Sequence, residues 1–140
     1  MSIVQARNPN LRSNSGRTCT LFAVTVKYTT KSKSEVYNVL ERICSRLLVS
    51  EESHFNYESH HHIFIRAIDR LTTFQIFNII NRIYDKPILI TGPELDLKEE
   101  INGVQVQTVR NETNYLKYIT KSDCDPLFKG ISESQLSFYY

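Results

Sequence analysis

The chain has few cysteines, no long apolar run and little net charge, and each shortage excludes a class of protein. Cys19, Cys44 and Cys124 are odd in number and far apart, and they form no CxxC pair. This pattern argues against a disulfide framework or a zinc knuckle and favours reduced thiols in a cytosolic or nuclear setting. No apolar run approaches membrane-spanning length and the first residues contain no signal-peptide core, so no membrane partner is predicted.

The charge of the chain is small but unevenly distributed. Its formal net charge at pH 7 is +2, which by itself does not indicate a nucleic-acid-binding protein. Basic residues nevertheless crowd the first quarter of the chain, whereas a run of acids lies between Glu94 and Glu100. A local basic surface is therefore compatible with the low total, and its candidate members are Arg12, Arg17, Lys27, Lys31 and Lys33.

The length of 140 residues predicts a single domain, and hydrophobic spacing predicts the order of its strands and helices. The first helix is expected to begin at an N-cap at Ser34, because apolar residues at helical spacing follow it. The full series is a strand at 20–28, a helix to about residue 46, strands at 47–52 and 60–67, a helix from Thr72 or Thr73, strands at 87–91 and 104–109, and a helix from Asn111 to about Lys121.

This order predicts an α+β domain, in which a mainly antiparallel sheet of about five strands is flanked by helices. We expect residues 1–17 to form a flexible arm and residues 18–125 to form the folded domain. Residues 126–140 are expected to be a C-terminal extension, since Pro126 ends the regular pattern. One face of the sheet is expected to be freer than the other and to be covered chiefly by the last helix.

Three consecutive histidines stand at the start of an otherwise apolar strand. Because strand side chains alternate between the two faces of a sheet, His60 and His62 share one face. His61 points to the opposite face together with Ile63 and Ile65, which require the core and so disfavour a register shifted by one residue. Two imidazoles side by side on one face are typical of a divalent metal site.

A third metal ligand is expected from the preceding strand. Glu51 and Glu52 end that strand, which can pair antiparallel with the histidine strand and bring one carboxylate alongside. Glu52 is the favoured ligand, Glu51 remains an alternative to it, and His54 in the following loop could replace one of the ligands. Two imidazoles and one carboxylate leave open positions that suit Mg²⁺ or Mn²⁺, whereas structural zinc prefers four closed ligands.

The last predicted helix carries two phenols and a lysine at helical spacing. Residues three apart share a helical face, so Tyr118 neighbours both Tyr115 and Lys121. A phenol is almost wholly protonated at neutral pH, but a nearby cation or metal makes its attack easier and stabilises a developing phosphorane. Tyr118 is therefore a candidate nucleophile for transesterifying a phosphodiester, whereas Tyr115 is expected to pack or to stack on DNA.

Three motifs in this order resemble those of the HUH-superfamily replication initiators. They are the apolar strand at 21–26, the apolar-flanked His60-x-His62, and the downstream Tyr118-x-x-Lys121. The chain looks most like the Rep endonuclease domains of small single-stranded DNA viruses of the circovirus, nanovirus and geminivirus group, with parvovirus initiators more distant. The resemblance spans roughly residues 18–125.

The resemblance implies a metal-dependent enzyme that nicks and rejoins single-stranded DNA at an origin stem-loop in the host nucleus, during rolling-circle replication. Tyr118 and Lys121 would be catalytic, and His60, His62 and Glu52 would bind Mg²⁺ or Mn²⁺. A helicase domain is expected in a longer full-length chain, as in many family members. Candidate DNA contacts are Arg17, Lys27, Arg66, Lys117 and Tyr115.

Two other functions remain open on the sequence. A non-catalytic RRM-like module binds single strands by stacking bases on exposed aromatic side chains, and it would not need convergent histidines. Phe64 is the only aromatic residue on the histidine face of its strand, which disfavours this alternative. A transposase-type HUH nuclease is the second alternative, and the motifs do not separate it from a replication initiator.

Overall fold

The computed structural model describes residues 11–12, 18–27, 29–53, 59–86, 103–121, 123 and 125–136, which form one sheet with helices on both faces. Its strands are β1 (Leu11–Arg12), β2 (Cys19–Val26), β3 (Cys44–Ser53), β4 (Ser59–Leu71), β5 (Val104–Val109) and β6 (Leu127–Lys129). Its helices are α1 (Lys33–Leu40), α2 (Thr73–Ile83) and α3 (Glu112–Ile119), followed by a short 3-10 helix at Glu133–Gln135.

The sheet is antiparallel throughout the described residues. Its strands lie in the order β1-β5-β2-β4-β3-β6, and each neighbouring pair runs in opposite directions. The predicted α+β class and antiparallel sheet are therefore confirmed. β4, with 13 residues the longest strand, pairs with β2 on one side and β3 on the other, so the three histidines lie in the middle of the sheet rather than at an edge.

Each of the three α-helices begins at a polar capping side chain, namely Ser32, Thr72 or Asn111. Asn111 is the predicted cap and Thr72 is one of the two residues at which the second helix is expected to begin, but the predicted cap at Ser34 is wrong. Ser32 accepts a hydrogen bond from the amide of Glu35, and the Glu35 carboxylate accepts one from the amide of Ser32. Ser34 cannot form this reciprocal pair, because the residue three positions after it is Tyr37. None of the helices in the described residues is long and apolar enough to cross a membrane.

The first helix is shorter than the sequence predicts. It ends at Leu40, and residues 44–46, expected in the helix, already belong to β3 and pair with β4. Their apolar spacing fits a helix, but pairing with a neighbouring strand satisfies their backbone hydrogen bonds instead. Tertiary pairing therefore overrides the local pattern at this boundary.

Each face of the sheet has its own apolar core. On one face, α1 and α2 pack on side chains that include Val24 and Ile63. On the other face, α3 packs on Ala23, Leu48 and Phe64. Because successive residues of the central strands belong to opposite cores, these strands are buried on both faces at their centres. The His60/His62 face is the one that α3 covers, as predicted.

The fold continues beyond the boundary predicted at residue 125. β6 pairs with the edge of β3, where Phe128 lies opposite Leu48. Leu136 is only 3% exposed and completes the core beneath α3. Residues 126–136 are therefore part of the domain rather than an extension of it.

Several sequence predictions fall outside the described residues. They concern the strand at 87–91, the acidic run at 94–100, the DNA contact at Arg17, the alternative ligand His54, and most of the N-terminal arm. Within that arm, Leu11–Arg12 forms β1 and pairs with the end of β5.

We expect Phe64→Ala to destabilise the domain by about 3–5 kcal/mol, because it empties a fully buried site in the core beneath α3. Ile68→Ala is the matched control on the same strand, since Ile68 is 62% exposed, and it should change stability by less than about 0.5 kcal/mol. Urea unfolding followed by circular dichroism measures both changes. Equal losses in the two variants would contradict the burial pattern.

Candidate metal centre and the helix beside it

The register of β3 against β4 brings one glutamate and two histidines together. Glu52 lies opposite His60, and Ser50 lies opposite His62. Because side chains alternate along each strand, Glu52, His60 and His62 all project from the face of the sheet that α3 covers. We call these three residues the ligand cluster.

The geometry of the ligand cluster fits a divalent cation. One ligand atom from each residue lies within 4.8 Å of the other two, and the three residues are partly buried. His62 Nε2 and Glu52 Oε1 are 3.1 Å apart, close to the spacing of about 3 Å between neighbouring ligands at right angles around a metal. The His60 and His62 rings meet edge to face with centroids 6.4 Å apart, so their nitrogens can converge on one point without stacking. The cluster could therefore hold a metal ion.

His61 belongs to a separate, buried network on the opposite face. Its ring is fully buried, with Nδ1 2.6 Å from the Tyr84 hydroxyl and Nε2 2.9 Å from Glu51 Oε1. Both ring nitrogens therefore have a hydrogen-bond partner, and the Glu51 carboxylate bonds to His61 rather than joining the ligand cluster. Of the two glutamates left open by the sequence, the structure brings Glu52 to His60 and His62.

Burial lowers the pKa of His61 below its ordinary value, and the hydrogen bond and charge of Glu51 offset this only in part. The same apolar surroundings raise the pKa of the Tyr84 hydroxyl well above its ordinary range. A neutral imidazole held between a phenol and a carboxylate is therefore the stable state of this network. Its role is structural, because it fixes which histidine faces the core.

Helix α3 runs along the face of the sheet that carries the ligand cluster, in the same direction as β3. At its start, Glu112 forms an ion pair with Arg46 near the beginning of β3. Beyond its end, the carboxylate of Asp123 accepts a hydrogen bond of 2.7 Å from the backbone amide of Glu51. The C-terminal turn of α3 therefore lies towards the end of the sheet that holds Glu52.

The two tyrosines of α3 are in different environments. Tyr118 is 52% exposed, and the Lys121 ammonium lies 6.0 Å from the centroid of its ring. Tyr115 is only 2% exposed, and burial raises the pKa of its hydroxyl well above the ordinary range. Of the two roles expected for Tyr115, burial confirms packing and contradicts stacking on DNA, because its ring has no free face.

The remaining candidate DNA contacts in the described residues differ in exposure. Arg66 and Lys117 are exposed, whereas Lys27 is partly buried and its backbone carbonyl accepts a hydrogen bond from the Lys86 ammonium. Two members of the basic group near the N-terminus are occupied by ion pairs. These are Lys31 with Asp85 and Lys33 with Asp123. The basic surface expected from the sequence is therefore smaller than the count of lysines and arginines indicates.

Two contributors to the site carry no recognisable signal in the sequence. Asp123 lies after α3 in an irregular segment, and its partner Lys33 is 90 residues away along the chain. Tyr84 ends the apolar stripe of α2, so its burial could be foreseen but its hydrogen bond to His61 could not. Long-range polar contacts of this kind depend on how the helices are placed on the sheet.

Comparison with known proteins finds no family that matches the chain and no significant match to a curated protein. The function of the chain is therefore inferred from its own residues.

Glu52→Gln should weaken the binding of Mn²⁺ by at least about tenfold, because the neutral amide removes the only negative charge among the three ligands. Glu51→Gln makes the same chemical change one residue earlier, on the opposite face, and should leave Mn²⁺ affinity unchanged. Titration of the metal-free protein with Mn²⁺, followed by electron paramagnetic resonance, measures both affinities. A loss of affinity in the Glu51 variant alone would mean that the other carboxylate is the ligand.

The lowered pKa of His61 should make acidification destabilising. Below its ordinary value of 6.5, the unfolded chain takes up a proton at His61 that the folded chain resists. The contribution is fully present above pH 6.5 and is lost, by at most about 1.4 kcal/mol per pH unit, as the pH falls towards the folded-state pKa.

Urea unfolding in EDTA, repeated between about pH 7.5 and about pH 5, tests this dependence across the range in which histidine titrates. His61→Gln should be less stable at neutral pH but should lose less stability on acidification than the unsubstituted protein does. Parallel pH profiles for the two proteins would show that His61 does not resist protonation.

Proposed function

We propose that the protein is a metal-dependent endonuclease and strand transferase that nicks and rejoins single-stranded DNA through Tyr118. In this proposal it acts as a replication initiator of the HUH type on an origin stem-loop of a small single-stranded DNA virus, in the host nucleus. The observation that supports this proposal most directly is the position of the ligand cluster. It projects from the face of the sheet that α3 covers, at the end of the sheet towards which the C-terminus of α3 points.

The ligand cluster would hold Mg²⁺ or Mn²⁺ through Glu52, His60 and His62. A divalent ion bound there would act as a Lewis acid on a phosphodiester oxygen. The donor set supports this assignment, because the two imidazoles and one carboxylate found among the described residues leave open positions for phosphate and water. Among the residues that the structure describes, no cysteine belongs to the cluster, which argues against a closed structural zinc site.

Tyr118 is the proposed nucleophile. Its oxygen would attack the scissile phosphorus, a new phosphorus–oxygen bond would form to the phenol, and the bond to the 3′ oxygen would break. The phenol loses its proton and the departing 3′ oxygen gains one, so the products are a 5′-phosphotyrosine and a free 3′-hydroxyl. Exposure of about half of the Tyr118 side chain supports this role, since a DNA strand must reach its oxygen.

Lys121 is the proposed partner of Tyr118. Its ammonium lies beside the Tyr118 ring, where a positive charge stabilises a developing phenolate and the additional negative charge on phosphorus. Attack by the released 3′-hydroxyl on the phosphotyrosine would reverse the reaction and rejoin the strand. Both directions use the same residues, which suits an enzyme that begins and ends a round of replication.

A non-catalytic single-strand-binding module is less well supported. Such a module requires exposed aromatic rings on its central strands. In the described residues of β2, β3 and β4, the aromatic side chains other than the histidines are Phe22 and Phe64, and both are fully buried. The sheet therefore lacks a stacking platform there, whereas it carries three converging side chains that could hold a metal ion.

The deciding experiment is formation of a covalent adduct. Incubation with a stem-loop DNA oligonucleotide and Mn²⁺ should produce a protein–DNA species that survives SDS electrophoresis, and Tyr118→Phe should abolish it. Tyr115→Phe is the matched control on the same helix and should retain the adduct, since the Tyr115 hydroxyl is buried.

Two outcomes would reject the proposal. An undiminished adduct in Tyr118→Phe would exclude Tyr118 as the nucleophile. Binding of single-stranded DNA without any adduct, across a series of stem-loop sequences and with Mn²⁺ present, would favour the binding module instead.

A further inference from the structure

Asp123 forms a buried polar junction between three parts of the fold. Its side chain is 9% exposed, and Oδ2 accepts hydrogen bonds of 2.8 Å from the Lys33 ammonium and 2.7 Å from the backbone amide of Glu51. Oδ1 accepts a third bond of 2.9 Å from the amide of Asp125, whose carbonyl in turn accepts a bond from Lys33. One carboxylate thus joins the start of α1, the end of β3 and the segment after α3.

The position of this junction links the two halves of the proposed active site. Glu51 immediately precedes Glu52, so the bonded amide belongs to the strand that presents the carboxylate of the ligand cluster. On the other side, Asp123 stands five residues after Tyr118, just beyond the capping residue Thr120. Thr120 is fully buried and bonds back to Leu116, so the end of the helix is itself held in place three residues before Asp123.

The charge of Asp123 is stabilised in place. Burial acts to raise its pKa, but the bonds from Lys33 and from the amides of Glu51 and Asp125 outweigh it, and the pKa of this carboxyl lies below its ordinary value. A carboxylate that accepts three hydrogen bonds, one of them from an ammonium, is a strong and directional anchor.

We propose that Asp123 is a positioning residue, whose carboxylate ties the C-terminal end of α3 to β3 and thereby sets where Tyr118 stands relative to the ligand cluster. It does not touch DNA or metal in this scheme. Its catalytic consequence rests on the proposed function, whereas the tie between α3 and β3 does not.

Three variants separate the contributions of the Asp123 carboxylate and the Lys33 ammonium to the junction. Asp123→Ala removes the three hydrogen bonds that the carboxylate accepts, whereas Lys33→Met removes the ammonium but leaves the bonds from the amides of Glu51 and Asp125. Asp125→Ala is the matched control, because it removes an exposed carboxylate two residues away. Circular dichroism and thermal unfolding establish whether each variant is folded at the assay temperature. If Asp123→Ala does not fold, Lys33→Met still tests the proposal.

The first measurement is independent of any activity. Amide hydrogen exchange by NMR should be about tenfold or more faster at Glu51 and Thr120 in Asp123→Ala, because a charge-assisted bond to a backbone amide is lost and the end of α3 is released. Lys33→Met should show a smaller increase at both amides. The amides between β4 and β2 should exchange as before, and Asp125→Ala should match the unsubstituted protein at every amide.

The second measurement is single-turnover adduct formation with saturating Mn²⁺ and stem-loop DNA. Asp123→Ala should slow the step by about tenfold or more, because small displacements of a nucleophile are costly. Mn²⁺ affinity and DNA affinity should stay within about twofold of the unsubstituted protein, since neither ligand touches Asp123. A residue with a merely structural role would lower all three together or none.

The outcomes distinguish this inference from the proposed function. Unchanged exchange at Thr120 in Asp123→Ala would overturn the tie itself, whether or not the protein is an enzyme. Faster exchange with an unchanged adduct rate would overturn its role in positioning Tyr118. If the unsubstituted protein forms no adduct, the proposed function fails, and the exchange data alone decide whether Asp123 holds α3 to β3.

Discussion

The antiparallel register between β3 and β4 is the constraint on which the rest of the candidate site depends. With Glu52 opposite His60, the ligand cluster forms on the face covered by α3, and His61 turns to the other core. A shift of one residue would exchange the faces and place His61 where His60 and His62 now stand. Everything proposed for the chemistry of the chain follows from this alignment.

Apolar burial alone does not select this register, contrary to the expectation from Ile63 and Ile65. At the centre of the sheet both faces are buried, with Ile63 in one core and Phe64 in the other, so a slipped strand would still bury apolar side chains. The hydrogen bonds of His61 to Glu51 and Tyr84 distinguish this register from one shifted by a residue. A slipped register would separate the imidazole from Glu51 and Tyr84 and leave polar groups buried without partners, which costs far more than exchanging one apolar residue for another.

Helix α3 is tied to the same strand at both of its ends, by Glu112 to Arg46 and through Asp123 to Glu51. Between these ties it packs on Phe64, so its rotation about its own axis is also restricted. As a consequence the two tyrosines differ in burial: the Tyr115 side chain packs in the core, whereas the Tyr118 side chain remains accessible to solvent. The same helix thus serves stability with one face and is available for chemistry with the other.

Local patterns in the sequence were sufficient wherever one short segment carried all the information. Strict alternation located β5, the Asn111 cap located α3, and alternation around the histidines separated His60 and His62 from His61. Each of these features follows from backbone geometry and nearest neighbours alone.

Sequence patterns were insufficient where distant partners decided the outcome. Residues 44–46 became strand because β4 stands beside them, and β6 joined the sheet because the edge of β3 was open to it. The choice of Glu52 over Glu51, the burial of Tyr115 and the junction between Lys33 and Asp123 likewise depend on tertiary structure. The sequence by itself determined which chemical groups were available and on which face of each element they lay. Only the packed fold decided which groups meet, because side-chain bonds across 90 residues require every intervening element to be in place.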